Sequence, residues 1–190
     1  IADYSNLLSD PSMSPDGKFI IETGDVKLKK VTGKDYYEDL DKSNVQIYES
    51  LNYRHWDTWE DGAYSHVFIK NADGSNAVDI MKDETYDCPQ MPCGGCEDYI
   101  WGPKGETVLY VSKKNYGTDY AVSTNSDIYE YNLSTKKTTN LTEKNKGYDT
   151  QPAFSKEGVL AWTQMKRDGY ESDKNDIIVR LNGMDKNLTA

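Results

Sequence analysis

The sequence predicts an all-β fold, a partial β-propeller of about three four-stranded antiparallel blades. Two recurrences and one absence carry this expectation. A turn of the form S/G-P/K-D/K/E-G between two short apolar runs appears in "PSMSPDGKFIIET" (11–23), "YIWGPKGETVLYVS" (99–112) and "PAFSKEGVLAWTQ" (152–164). A strand–polar turn–strand unit follows each: "YSHVFIKNADGSNAVDIM" (64–81), "SDIYEYNLSTKKTTNLT" (126–142) and "NDIIVRLNGMDKNLT" (175–189). Sustained helical periodicity is missing, with one exception at 42–54. A four-stranded unit repeating over roughly 40–50 residues is the pattern of propeller blades, and an immunoglobulin-like sandwich does not repeat in this way.

Each element has a local reason. In the first turn of every module, proline presets φ where present, and the glycine at 17, 105 or 158 takes positive φ. The flanking runs are β-branched and aromatic, which suits strands. The alternation in Ile128-Tyr129-Glu130-Tyr131 and Ile177-Ile178-Val179-Arg180 fits half-buried antiparallel strands. The modules fall at 9–81, with an insertion over 25–62, at 97–142 and at 150–189, all within one propeller domain spanning 1–190. Inside the insertion, Val45, Ile47, Tyr48 and Leu51 of "KSNVQIYESLNYR" fit one face of a helix. Propellers close with four to eight blades, so three modules leave two open sheet faces and unpaired edges. The chain opens on Ile1 rather than methionine and stops at "NLTA", where a fourth strand ends. The expectation is therefore a piece of a longer polypeptide.

Alternating strand direction puts the first and third turns of each module on one face of the disc. These are short: "SPDGK", "GPKGE", "SKEG", "NADGS", "STKK", "NGMDK". The other face receives the insertion, "KKNYGTDYAVSTN" (113–125), "MKRDGYESDK" (165–174), the cysteine segment (83–96) and "EKNKGYD" (143–149). Long loops on a rigid scaffold are where binding and docking concentrate.

A net charge of −10 in 190 residues argues against a nucleic-acid partner and an anionic membrane surface. No apolar run approaches the roughly 20 residues of a membrane-spanning helix. An aromatic share of 12% argues against disorder despite 28% charged residues.

The chemistry-bearing candidates cluster in "RHWDTWEDG". The chain has no G-x-S-x-G elbow, P-loop, G-x-G-x-x-G or H-E-x-x-H, so no catalytic residue is assigned. His66 falls in a strand at 64–69, as a packed or surface residue. His55, between Arg54 and Trp56 and near Asp57, reads as structural or interfacial. Trp56 and Trp59 are placed either in loop packing, the favoured reading, or stacked on a ligand. Asp168, Glu171, Asp173 and Asp176 in "RDGYESDKND" bring carboxylates together but lack EF-hand spacing, so a solvated acidic loop is expected rather than a metal site. Cys88, Cys93 and Cys96 are spaced C-x4-C-x2-C. They fit small residues in a Gly-rich connection, one disulfide plus a free thiol, or a metal site short of a fourth ligand. No metal or cofactor is expected. The sequons at Asn132, Asn140 and Asn187 recur because the repeat recurs.

Taken in order, "SPDGK", "YRHWDTWEDGAYSHVFI", "STNSDIYEYNL", "GYDTQPAFSKEG" and "RDGYESDKNDI" resemble the N-terminal propeller of the prolyl oligopeptidase family, in its acylaminoacyl-peptidase and dipeptidyl-peptidase-5-like branch. "SPDGK" alone is common to TolB-like propellers; the ordered set is more specific. The resemblance implies a C-terminal α/β-hydrolase domain in cis carrying a Ser-Asp-His triad, none of which lies in this chain. It implies a propeller that caps that site, admits only short peptides and offers loops near the peptide's N-terminal end. The substrate-facing candidates are then Arg54, His55, Trp56, Asp57, Trp59, Glu60, Asp61, Arg167, Asp168 and Glu171. Glu60, Asp61 or Glu171 would pair with a peptide's free amine. It further implies a secreted or periplasmic location, favouring oxidised cysteines. The family's propeller has about seven blades, and "CGGC" at 93–96 departs from its pattern. Two alternatives remain open: a TolB- or WD40-like periplasmic binding scaffold with no enzyme attached, and a small glycan- or metal-binding protein using Trp56 and Trp59.

Overall fold

Three copies of one turn organise the chain. A computed structural model describes residues 12–39 and 42–190. The part of the first module at 9–11 lies outside the described residues. In the first turn of each module the glycine N–H donates back three residues: Gly17 to Ser14 O, Gly105 to Gly102 O and Gly158 to Ser155 O, each at 2.9 Å. The three glycines have φ of 71°, 69° and 80°. The turns also stack from module to module. A Cβ on Gly105 would lie 3.5 Å from Pro15, and one on Gly158 3.6 Å from Pro103.

The turns join the strands of three separate four-stranded sheets, each a simple antiparallel meander. The first holds β1 (Ser12–Met13), β2 (Phe19–Lys27), β5 (Ala63–Asn71) and β6 (Val78–Asp79). A small two-stranded hairpin, β3 (Arg54–His55) and β4 (Thr58–Trp59), stands between β2 and β5. The second sheet holds β7 (Tyr99–Trp101), β8 (Thr107–Ser112), β9 (Asp127–Asn132) and β10 (Lys137–Asn140). The third holds β11 (Asp149–Phe154), β12 (Leu160–Gln164), β13 (Asp176–Leu181) and β14 (Met184–Asn187). The expected all-β partial propeller is what forms.

The sheets pack face to face through side chains that alternate along the middle blade. Val108 and Tyr110 of β8, with Tyr129 and Tyr131 of β9, enter one core with Ile21, Val67, Ile69 and Met81 of the first blade. Leu109, Val111 and Ile128 point the other way and meet Leu160, Trp162 and Ile178 of the third. Burying each such side chain contributes about 1.5–3 kcal/mol. Polar links reinforce both seams. Trp101 Nε1 donates to Ser12 O at 3.0 Å, and an Arg180 Nη donates to Leu141 O at 2.8 Å.

Three expectations need correction. Residues 128–131 are not half-buried, because the middle blade is covered on both faces; Ile128, Tyr129 and Tyr131 are all buried. The third blade keeps an open face, where Ile177 and Leu181 are exposed. Residues 42–54 form no helix. Gly33 N donates to Val45 O and Ile47 N to Val31 O, so this stretch lies extended against 31–33. The helical turn is α1 (Gly33–Tyr36), started by Asp35, whose carboxylate accepts the N–H groups of Val31 and Thr32. Finally, β2 runs on to Lys27, paired with Ala63, so the insertion opens later than residue 25.

Candidate functional site

The long connections gather on one side, as the strand alternation requires. The base of the insertion is closed by Gly62. Its carbonyl accepts the N–H groups of both Leu28 and Lys29 at 3.0 Å. Its φ is 87°, and a Cβ there would sit 2.2 Å from Lys29 O, so only glycine fits after "WED".

Above this closure the hairpin carries an aromatic stack. Trp59 lies over Tyr48 and Tyr53, with ring centroids 6.1 and 6.3 Å away. The Arg54 guanidinium sits 5.2 Å from the Trp59 ring, and its Nε donates to Trp56 O at 2.6 Å. Trp59 stacks on rings of its own insertion and stays 45% exposed. Against the favoured loop packing, Trp56 takes the hairpin turn at φ 49° and is 74% exposed, because a two-residue turn leaves nothing above it to cover the indole. His55 lies beside the Trp56 ring, centroids 4.7 Å apart, and its buried Nε2 has no partner among the described protein groups. Asp57 is exposed at the tip.

Beneath the stack is a small cavity of about 50 Å³ lined by Lys29, Glu60, Tyr64, Asp87, Asn115 and Tyr120, among others. It adjoins a hollow of about 280 Å³ that shares Lys29, Glu60, Tyr64 and Tyr116. Glu60 is fixed by its backbone: its N–H donates to Tyr53 O at 3.0 Å, and its carbonyl accepts Tyr48 OH at 2.7 Å. Burial pushes its carboxyl up, and the adjacent Asp61 adds to this. Burial likewise pushes Asp87 up to about 6, although the Ser65 N–H donates to its Oδ1 at 2.8 Å. Burial next to both acids pushes the Tyr120 hydroxyl up to about 12. Lys29 supplies the cation, its ammonium 5.3 and 5.0 Å from the Tyr64 and Tyr116 rings. The site is a pair of partly desolvated carboxylates in a tyrosine-lined hollow, suited to an ammonium group with an apolar stem.

The other candidates take different places. Asp61 Oδ1 is occupied by the Ala63 N–H at 2.8 Å. Asp168 stitches the third blade's loop to the second's, accepting from Ser123 Oγ at 2.7 Å and Thr124 N at 2.8 Å. Arg167 stacks on Tyr170 at 3.9 Å and pairs with Asp173 at 3.1 Å. Asp176 pairs with Lys174 at 2.8 Å. Asp168, Asp173 and Asp176 of this loop are thus engaged by protein partners, and no metal-binding cluster occurs among the described residues. Glu171 is exposed; with Asp168 it acts electrostatically on Lys113, whose ammonium lies 4.5 Å from the Tyr120 ring. The cysteines divide. Cys88 is fully buried with its thiol 3.7 Å from Asp98 O, Cys93 is exposed, Cys96 is half-buried, and all three are free thiols.

Sequence reasoning missed Asp87, Tyr64, Tyr120 and Lys29. No motif marks them; they converge only because a blade-to-blade connection and a second-blade loop fold back beneath the insertion.

No family model matches the chain. It is 47% identical over 170 residues to a dipeptidyl-peptidase 5 of Porphyromonas gingivalis, covering 87% of this chain and 25% of that protein. It is 42% identical over 164 residues to a dipeptidyl-peptidase 5 of Porphyromonas endodontalis, covering 84% of this chain and 23% of that one. A dipeptidyl-peptidase 5 of Schizosaccharomyces pombe is 31% identical over 72% of this chain and 21% of its own length. The chain thus spans about a quarter of the length of these relatives. Among solved structures, TolB from Acinetobacter baumannii superposes with a TM-score of 0.50 over 94% of this chain and 31% of its own, at 14% identity. That likeness speaks to the fold.

Proposed function

We propose that this dipeptidyl-peptidase-5-like run of propeller blades is the non-catalytic gate of a secreted or periplasmic serine exopeptidase. Its loop-rich side faces a C-terminal α/β-hydrolase domain in cis, and it admits and orients short peptides for cleavage there. The observation that carries the reading is the pairing of Glu60 with Asp87 in the tyrosine-lined cavity. Two partly desolvated carboxylates favour a terminal ammonium over an acylated terminus, and a charge-assisted hydrogen bond is roughly twice as strong as a neutral one. The exposed Trp56 at the hairpin tip suits an anchor on the facing domain, since buried aromatic anchors dominate docking energetics.

Titration of the chain with a dipeptide amide and with its N-acetyl form, followed by NMR, tests this. The free amine should shift resonances around Glu60, Asp87 and Tyr120, and the acetylated form should not. In Glu60→Gln and Asp87→Asn the response to the free amine should weaken about tenfold or more. Equal binding of the two peptides would refute an amine site. The second reading is a propeller scaffold with no enzyme attached. The gene decides between them: a G-x-S-x-G elbow followed by Asp and His downstream supports the peptidase, whereas further blades and a stop codon support the scaffold.

A further inference from the structure

We infer that His66 is held as an imidazolium and is a positioning residue for Asp87, fastening the connection that carries this carboxylate beneath the insertion. The part concerning ligands rests on the reading of the cavity given above; the part concerning His66 does not.

The ring is fully buried in β5, yet both nitrogens meet acceptors. Nε2 lies 2.8 Å from Glu84 O and Nδ1 2.9 Å from Asp79 Oδ2. A backbone carbonyl only accepts, so Nε2 must donate. A carboxylate also only accepts, so Nδ1 must donate as well. A neutral imidazole has one N–H, and only the imidazolium has two. Asp79 Oδ1 takes the Met81 N–H at 2.8 Å, which leaves Oδ2 to face the ring.

His66 and its neighbour Ser65 together tie down the connection from Glu84 to Cys88. His66 donates to Glu84 O, Ser65 N donates to Asp87 Oδ1, and Cys88 N donates to Ser65 O at 2.8 Å. From the second blade, Ser112 Oγ donates to Asp87 O at 2.9 Å. Asp87 is thereby clamped between two blades, with Ser65 and His66 holding the connection on the first-blade side. The charged groups around the ring and the connection are Asp79 on β6, Glu84 and Asp87 on the connection, Asp25 on β2 and Lys114 after β8, whose ammonium pairs with Glu84 at 2.6 Å. The Glu22–Lys70 ion pair lies further along the same face of β2 and β5, and the residue opposite His66 on β2 is Gly24. Burial pushes the Asp87 carboxyl up, and the positive charge of His66 pulls it back down.

The test is NMR on the 15N-labelled chain. In the wild type both ring nitrogens of His66 should show imidazolium shifts at neutral pH. In Asp79→Asn, which still hydrogen-bonds Nδ1 but lacks the counter-charge, the ring should become singly protonated. In His66→Gln, which keeps one neutral donor, the Cys88 N–H should exchange roughly 10- to 100-fold faster, and Asp87 should titrate at higher pH than in the wild type. A singly protonated wild-type ring overturns the inference. So does a doubly protonated ring whose replacement leaves Cys88 exchange and Asp87 titration unchanged. If peptides fail to bind the wild type, the amine site falls, while ring protonation and Cys88 exchange still decide the role of His66.

Discussion

Replacing Asp149 by asparagine should change how stability depends on pH more than it changes stability itself. Asp149 is fully buried at the start of β11. Its Oδ1 accepts from Trp162 Nε1 and Gln164 Nε2, both at 2.7 Å, and its Oδ2 accepts from Asn145 Nδ2 at 2.9 Å. Burial nevertheless pushes its carboxyl up from 3.8 to about 6, against the pull of those three bonds. The substituted amide keeps the two Oδ1 bonds and turns its NH2 toward the Asn145 NH2. Asn145 cannot flip freely, because the same nitrogen donates to Met165 O at 2.8 Å. That mismatch costs about 1–3 kcal/mol and does not titrate. The wild type carries an opposing cost. Between about pH 4 and pH 6 the folded state binds more protons than the unfolded one, so its stability falls as pH rises. A shift from 3.8 to about 6 is worth roughly 3 kcal/mol once both states are ionised, and about 2–3 kcal/mol of it accrues between pH 4 and pH 8. The variant should therefore melt below the wild type near pH 4 and close to it near pH 8. At about 2–4 °C per kcal/mol for a chain of this size, the difference in Tm should swing by roughly 5–10 °C. Asp87 and Asp98, also pushed to about 6 by burial, are common to both proteins and cancel in the difference. Melting curves followed by tryptophan fluorescence report it. A Tm difference that stays flat from about pH 4 to pH 8 would refute the account of Asp149 as a desolvated hub.

Two further outcomes separate packing from backbone strain and test the cysteine environments. Gly62→Ala should destabilise by at least about 2 kcal/mol and disturb the resonances of Lys29 and Glu60, since it combines positive φ with a backbone clash. Gly74→Ala, at φ 82° with nothing within 4 Å, should cost only about 1 kcal/mol; equal losses in urea titrations would remove the clash from the argument. In the reduced native chain a maleimide should modify Cys93 rapidly. It should reach Cys88 only after unfolding, because burial both shields that thiol and pushes it up. Mass spectrometry showing Cys88 labelled at the Cys93 rate would contradict the packing of the first core.

The fold was legible because it is local and repeated. Gly17, Gly105 and Gly158 each close the same hydrogen-bonded turn, and a turn that fixes the direction of its flanking strands fixes a meander. What periodicity could not convey was the environment of the second face. Ile128-Tyr129-Glu130-Tyr131 reads as an alternating, half-buried strand, whereas the middle blade has neighbours on both sides and buries almost everything. The same blindness produced the helix expected at 42–54. Val45 and Ile47 satisfy a helical spacing, but the backbone of 31–33 offers pairing to an extended partner, and that tertiary choice overrides spacing.

The site shows the same division more sharply. "RHWDTWEDG" announced aromatic and charged residues, and the structure uses them mainly to build a rim: Arg54 on Trp59, Trp59 on Tyr48 and Tyr53, and Gly62 to close the base. Only Glu60 of that motif lines the cavity. Its partners, Asp87 and Tyr120, come from the connection between blades and from the second blade's loop, in stretches without any recognisable spacing. Residues that meet only across a seam between repeats leave no periodic trace. Each repeat can diverge there without disturbing its own hydrogen bonds, so a propeller keeps its turns similar and varies what stands between the blades. The chemistry of this chain is accordingly to be sought along the seam of the first two blades, where burial can raise a carboxylate and a neighbouring blade can hold it in place.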